Sequence, residues 1–307
     1  MKKKKKENKL GVWILIGIIV LAAILILGIP LALLFDGERI IKNDVAVIPI
    51  KGMITVEGGG QWGEDSASAK QIVSFIEDAN SRNEIKVIIL EINSPGGGAV
   101  ASDQIGMAIK KTEKPVIAVI SEVGASGGYW IASTADLIIA NRMSITGSIG
   151  VISSYLEFSG LMEEYGVSYE RLVAGELKDM GTPLKKLSEK EKRLLQDKLD
   201  KIHTFFIKEI SENREMSFEE VKKLATGEFF LGDEAQELGL IDVLGDMGVA
   251  IDYIENELGV ENPELVEYAP ERGLLDLLQG IVSDYFFNVG QGIGTTLTKQ
   301  KSGLLLI

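Results

Sequence analysis

From residue 45 onward the chain alternates short, almost wholly apolar runs with stretches whose apolar positions recur every three or four residues. VAVIPIKGMI (45–54) reads as a buried strand rich in β-branched residues, and GGGQWGEDSAS (58–68) as a connection. The rhythm then becomes regular. AKQIVSFIEDANS (69–81) has helical periodicity, IKVIILEIN (85–93) is a continuous apolar strand, SPGGG is a turn, and AVASDQIGMAIKK (99–111) is an amphipathic helix. VIAVIS (116–121) is the next strand, followed by a Gly-rich corner, a helix of small residues, the strand LIIANR (137–142) and the loop MSITGSIGV (143–151). Apolar strands alternating with helices predict an α/β fold with a mainly parallel sheet covered by helices on both faces.

Beyond Ser153 the pattern gives LEFSGLMEEYG as helix, VSYERLVAG as strand and LKDMGTP as loop. A long amphipathic helix, LSEKEKRLLQDKLDKIHTFFIKEISENR, follows, then the shorter helices SFEEVKKLATG, DEAQELGL and MGVAIDYIENELG, and PELVEY as an edge strand. Nothing between residues 45 and 270 has the composition of a linker, so 36–270 reads as one domain. The tail 271–307 has Leu and Phe at helical spacing and then an apolar end suited to a neighbouring subunit or a membrane surface.

The N-terminus is different in kind. Five lysines at 2–6 and Lys9 precede an uncharged run, LGVWILIGIIVLAAILILGIPLALLF (10–35), long enough to cross a bilayer as a helix. It exceeds a signal-peptide core and no small-x-small cleavage site precedes Asp36, so it reads as a permanent anchor. The lysines of residues 1–9 stay cytoplasmic, which places the domain outside the membrane, at the cell surface away from the cytosol.

Charge and composition exclude several functions. The net charge is −13, and residues 1–35 carry six Lys and one Glu (+5), which leaves −18 for the rest, a poor surface for nucleic acid. The chain has no cysteine and one histidine, His203, so neither a thiol nucleophile nor a His-cluster metal site can be built. No metal or cofactor is expected.

Two Gly-rich corners lie one strand-helix unit apart, Ser94-Pro95-Gly96-Gly97-Gly98 and Gly124-Ala125-Ser126-Gly127-Gly128. The second displays a serine where little side-chain bulk obstructs a substrate backbone, which is how nucleophilic serines are presented. The first supplies bare backbone N–H groups at Gly96 and Gly97 that, with Gly127 N–H, could form an oxyanion hole. The competing interpretation is of glycines that serve close packing alone; a phosphate cradle is disfavoured because no lysine follows them.

A nucleophilic serine needs a base. His203 falls at the boundary of the long helix's apolar face, where a packing role is the simpler reading. Lysine is the alternative, effective only when unprotonated. Lys185, Lys186, Lys190, Lys192, Lys198 and Lys201 belong to charged helical faces, whereas Lys178, in AGELKDMG, sits just past a strand and between glycines, although an ordinary loop lysine fits the same position.

LEINSPGGGAV, GASGGYWIAS, TGSIGV and AGELKDMG, in this order behind a lysine-rich anchor, resemble the short, single-unit bacterial form of the signal peptide peptidase A family. The resemblance covers most of residues 45–245. It implies a Clp protease/crotonase-like fold and a Ser-Lys dyad of Ser126 as nucleophile and Lys178 as general base. Ser148 would orient the lysine, with oxyanion donors at Gly96, Gly97 and Gly127. It further implies signal-peptide substrates, no cofactor, and a ring-like homo-oligomer, with two arrangements open: a dyad within one chain, or one protomer's lysine completing its neighbour's serine. Two readings of other classes remain: a Ser-His esterase using His203, since the corner also matches G-x-S-x-G, and a non-catalytic membrane-tethered scaffold. A crotonase-type acyl-CoA enzyme is disfavoured by placement away from cytosolic CoA.

Overall fold

Apolar runs become strands buried on both faces, and residue parity decides which face each side chain covers. The computed structural model describes residues 44–58 and 66–269. The expected cytoplasmic tail (1–9), anchor (10–35) and C-terminal tail (271–307) lie outside them. Among the described residues no helix is long and apolar enough to cross a membrane.

In chain order the strands are β1 (Asp44–Lys51), β2 (Met53–Thr55), β3 (Ser66–Ser68), β4 (Ile85–Ser94), β5 (Val116–Ala125), β6 (Leu137–Ala140), β7 (Ile145–Gly147), β8 (Phe229–Leu231), β9 (Val243–Leu244) and β10 (Glu264–Glu267). The helices are α1 (Ala69–Ser81), α2 (Ala99–Ile109), α3 (Gly127–Ser133), α4 (Ser159–Glu164), α5 (Glu189–Asn213), α6 (Phe218–Leu224), α7 (Gly232–Glu237) and α8 (Met247–Asn256). The main sheet runs β10-β1-β4-β5-β6-β9, and every pair along that path is parallel. This is the expected α/β class with a parallel-rich sheet.

Val45, Val47, Val87, Ile89, Ile117 and Val119 line one face with Ala250 and Ile254 of α8. Ala46, Ile48, Ile88, Leu90, Ala118 and Ile120 line the other, with Ile76 of α1, Ile105 of α2, Ile131 of α3 and Phe206 of α5. Successive strand side chains point to opposite faces, so continuous apolar runs are required when both faces are covered.

Three departures from the sequence pattern matter for the site. VAVIPIKGMI is cut at Gly52 (φ 75), which turns the chain from β1 into β2. β5 runs beyond VIAVIS: Ile117–Ile120 pair with β6, then Val123–Ala125 pair with β7, which the pattern left as loop. VSYERLVAG forms no strand; residues 167–175 are all exposed, and among the described residues this segment has no strand partner to complete its backbone hydrogen bonds.

That segment belongs to a larger excursion. No residue from Val151 to Lys190 is buried, and in the N-terminal half of α5 only Glu191 is, whereas Phe206, Ile207 and Ile210 near the helix's other end are buried. We call residues 151–190 the arm. α5 begins with a capping box: Ser188 Oγ accepts from Glu191 N, and the Glu191 carboxylate accepts from Ser188 N.

Candidate active site

β4 and β5 end side by side, with Ser94 paired to Gly124, and each leads through its Gly-rich corner into a helix, so the corners meet. Ser126 caps α3 in an unusual backbone conformation, φ 52 and ψ −120. Positive φ is costly for a residue with a Cβ, by about 1–3 kcal/mol, and persists where its surroundings enforce it. Here they do: Ser126 N donates to Gly147 O at 2.8 Å, and Trp130 N donates to Ser126 O at 2.9 Å. α3 beneath the serine is wholly buried, and Tyr129 OH donates to Leu240 O at 2.7 Å.

The first corner is tied to β2 by backbone hydrogen bonds and packs closely against the second. Ile54 N of β2 donates to Gly96 O at 2.9 Å, and Gly98 N donates to Ile54 O at 2.8 Å. A Cβ on Gly97 would stand 2.0 Å from Ile54 O, and one on Gly96 (φ 101) would stand 2.7 Å from Gly127 N and 2.8 Å from Ser126 Cβ. Both positions therefore require glycine. A Cβ on Gly127 would lie 3.2 Å from Gly97 N, so these two amides and the Ser126 side chain converge.

The three expected oxyanion donors are not equivalent. Gly96 N–H is taken by Ser94 Oγ at 3.1 Å, and the same buried hydroxyl donates to Gly52 O at 2.6 Å. Gly97 N and Gly127 N have no acceptor among the described residues. Gly96 sets the spacing of the corner, and Gly97 and Gly127 present the free amides. Gly127 N–H also belongs to the unpaired first turn of α3, where partial positive charge accumulates.

Ser148 comes next to Ser126 because β7 docks on the end of β5, with Ala125 opposite Gly147. Thr146 Oγ1 donates to Gly124 O at 2.8 Å and fixes that docking. Ser148 also has positive φ (50); its N–H donates to Glu228 O at 2.8 Å and its Oγ to Gly227 O at 3.3 Å. Among the described residues only four non-glycines have positive φ, and two are Ser126 and Ser148.

Lys178 lies elsewhere, in an exposed turn of the arm where its N–H donates to Gly175 O at 3.1 Å. Its Nζ has no hydrogen bond or ion pair among the described residues. The fold thus gathers Ser126, Ser148, Gly97 and Gly127 at one corner and leaves Lys178 on the arm. His203 is half-buried in α5; its Nε2 is enclosed without a partner, and it bonds neither serine.

Two features escaped the sequence reading. Ser94 is the anchor of the first corner, and its signal was a serine closing an otherwise apolar strand ahead of the glycines. The turn around Lys178 is tied by ion pairs of Arg171, Asp179, Lys185 and Glu191, whose partners are spaced too irregularly to read from the chain.

A model of peptidase family S49 matches residues 108–261. The chain is 31% identical over 272 residues to a protease-named protein of Methanocaldococcus jannaschii, covering 86% of this chain and 84% of that one. It is 33% identical over 237 residues to an Enterococcus faecium protein named for signal peptide peptidase SppA, covering 76% and 67%. Its fold is similar to that of a 1510-N membrane-bound stomatin-specific protease, solved as a lysine-to-alanine mutant in complex with a substrate peptide. The TM-score is 0.51 at 20% identity, over 79% of this chain and 99% of that one.

Proposed function

The chain belongs to peptidase family S49 and is a serine peptidase, and from that premise we propose that it hydrolyses membrane-proximal apolar peptides with a Ser126–Lys178 dyad. Ser126 Oγ attacks the peptide carbonyl while Lys178, unprotonated, takes the hydroxyl proton. The developing oxyanion is held by Gly97 and Gly127 N–H, and the lysine returns the proton to the leaving amine. Water, deprotonated by the same lysine, then hydrolyses the acyl-enzyme. Ser148, one register position from the nucleophile's strand, orients the amine.

The observation that carries this reading is the Ser126 corner: a serine held at φ 52 beside two backbone amides without acceptors. A corner that served packing alone would not require a strained residue bearing a hydroxyl at the edge where α/β sites form.

Lys178 comes, in this proposal, from a second copy of the chain in a ring-like homo-oligomer. The arm that carries it has no buried residue, yet displays Ile152, Leu156, Phe158, Tyr165, Leu172 and other large apolar side chains to solvent. Exposed apolar surface on this scale marks a surface meant to be covered. Signal peptides as substrates are supported by the name of the Enterococcus faecium relative and by the lysine-flanked apolar run at 10–35. That run would anchor the protein, with residues 1–9 cytoplasmic and the peptidase domain outside.

Labelling with a serine-reactive fluorophosphonate tests the nucleophile: wild type should be labelled, and Ser126→Ala and Lys178→Ala should lose labelling and peptide turnover by at least about a thousandfold. Mixing the two inactive proteins should restore turnover when the dyad spans two subunits. An unlabelled wild type, or an active Lys178→Ala, would overturn the dyad. Full activity of Lys178→Ala with loss in His203→Ala would instead select the Ser-His alternative.

A further inference from the structure

Lys178 is flanked by two acids in its own turn, Glu176 and Asp179, an awkward setting for a base. A bare carboxylate nearby favours the charged ammonium, the form that cannot accept a proton. This inference rests on the assignment of Lys178 as the base, and the geometry around the turn offers a resolution.

Neither acid is bare. Asp179 receives two bonds from one guanidinium, Arg171 Nε to Oδ2 at 2.6 Å and Nη2 to Oδ1 at 2.8 Å, and Lys185 Nζ stands 3.2 Å from Oδ1. Arg171 Nη2 also donates to Glu176 O at 2.7 Å, so a single side chain ties both flanks of the Lys178 turn. Lys190 Nζ holds the Glu176 carboxylate at 2.9 Å. Lys185 donates in turn to Glu191 at 2.8 Å, and Glu191 is fixed by Ser188 at the start of α5. These are the charged groups around the turn: Glu176 and Asp179 within it, Arg171 and Lys185 on the flanking segments, and Lys190 and Glu191 from α5. Each of these carboxylates has a cationic partner other than Lys178.

We infer that Arg171 is a positioning residue for the base: its planar fork binds the Asp179 carboxylate in both directions and the Glu176 carbonyl, fixing the turn and keeping Asp179 from pairing with Lys178. The bidentate geometry suits arginine, because a lysine can supply the charge but not the two parallel bonds. When a second subunit covers the arm, water is excluded and the cancellation carries more weight.

The test uses the full-length chain and a fluorogenic peptide of leucine and alanine residues, with kcat and KM measured across the pH range. Arg171→Met should leave KM within about twofold and lower kcat about tenfold near neutrality, because the acidic limb of the kcat profile moves up by about one unit. Activity should return at alkaline pH. Adding Asp179→Asn to Arg171→Met should bring the limb back, although the ion pair is still missing, and Arg171→Lys should retain most of the rate. Thermal unfolding of each variant should stay close to wild type, since both residues belong to the arm, which contributes no residue to the buried core.

A loss of the same size at every pH, or a double variant no better than Arg171→Met, would overturn the inference and leave Arg171 as a brace. Turnover by Lys178→Ala would overturn the base assignment itself. An inactive Lys178→Ala with an unshifted Arg171→Met defeats only the inference.

Discussion

Ser126 stands where backbone is packed on backbone, whereas Lys178 stands on a turn tied down by side-chain charges. At the serine corner glycines touch glycines, and amides and carbonyls of Ile54, Gly96, Gly98, Ser126 and Gly147 close on one another. On the arm no residue is buried, and the order comes from Arg171, Asp179, Lys185 and Glu191. An oxyanion hole must be rigid before substrate arrives, because donors that reorganise during the reaction lose much of their electrostatic benefit. A base delivered to a neighbouring subunit can be fixed by assembly. On the proposed reading the two regions become ordered at different stages, and perturbing them should have different signatures.

The largest effect is expected on the serine side. Gly96→Ala forces a Cβ to within 2.7 Å of Gly127 N at a φ of 101 that L side chains rarely adopt. Backbone strain of about 1–3 kcal/mol and overpacking of about 1–3 kcal/mol should lower the melting temperature by several degrees. Displacement of Gly127 N–H should cut kcat at least about a hundredfold. Calorimetry and peptide turnover check this together. A variant that melts like wild type and turns over normally would mean that the corner is not the rigid half.

On the arm the same severity of change should spare the fold and remove the proposed assembly. Leu172 is 96% exposed and Leu156 is 73% exposed, so aspartate at either costs the isolated chain little, within about 0.5 kcal/mol. Leu156→Asp with Leu172→Asp should reduce the molar mass measured by light scattering to that of a single chain. Turnover should fall with it, while the melting temperature of the monomer is kept. Unchanged mass and turnover would show that the apolar arm is not the contact.

The same contrast explains what could be read from the chain. Apolar runs and helical periodicity show β1, β4, β5, β6 and the helices around them, because covering both faces of a sheet leaves a local mark on each residue. The Gly-Ala-Ser-Gly-Gly corner is legible for a similar reason, since a crowded backbone permits few residue types. β7 is not legible: Ile145–Gly147 pairs with β5 only because β5 leaves β6 after Ile120, a long-range choice that three residues cannot announce. The extended segment expected at VSYERLVAG has the β-branched and aromatic composition of a strand but no strand partner among the described residues. Composition reports what a segment can bury, not against what. Gly96 misled in a finer way: its N–H is spent on Ser94 two residues earlier, and a hydrogen bond inside a turn leaves no trace in spacing.

The smallest effect separates the regions by acid alone. Hydrogen bonds from Lys185, and then from Ser188, hold the Glu191 carboxyl down at about 2 rather than the ordinary 4.5. The Arg171 guanidinium, helped by Lys185, holds Asp179 well below the usual carboxylate range. A carboxyl depressed in the folded state contributes stability that is present above its ordinary pKa and lost as pH falls toward its folded one. The Glu191 tie should therefore be intact at pH 6, begin to weaken below about 4.5 and be largely gone near 2, with the Asp179 tie weakening more gradually and persisting to lower pH. The serine corner depends on amide and hydroxyl hydrogen bonds that do not titrate in this window. Amide exchange at a series of pH values, corrected for intrinsic rates, should show the turn at 176–181 and the first turn of α5 losing protection while β4 and β5 keep theirs. If arm and sheet lost protection together, the arm would be ordered by the body of the domain, and the division between a packed serine and a charge-tied lysine would be wrong.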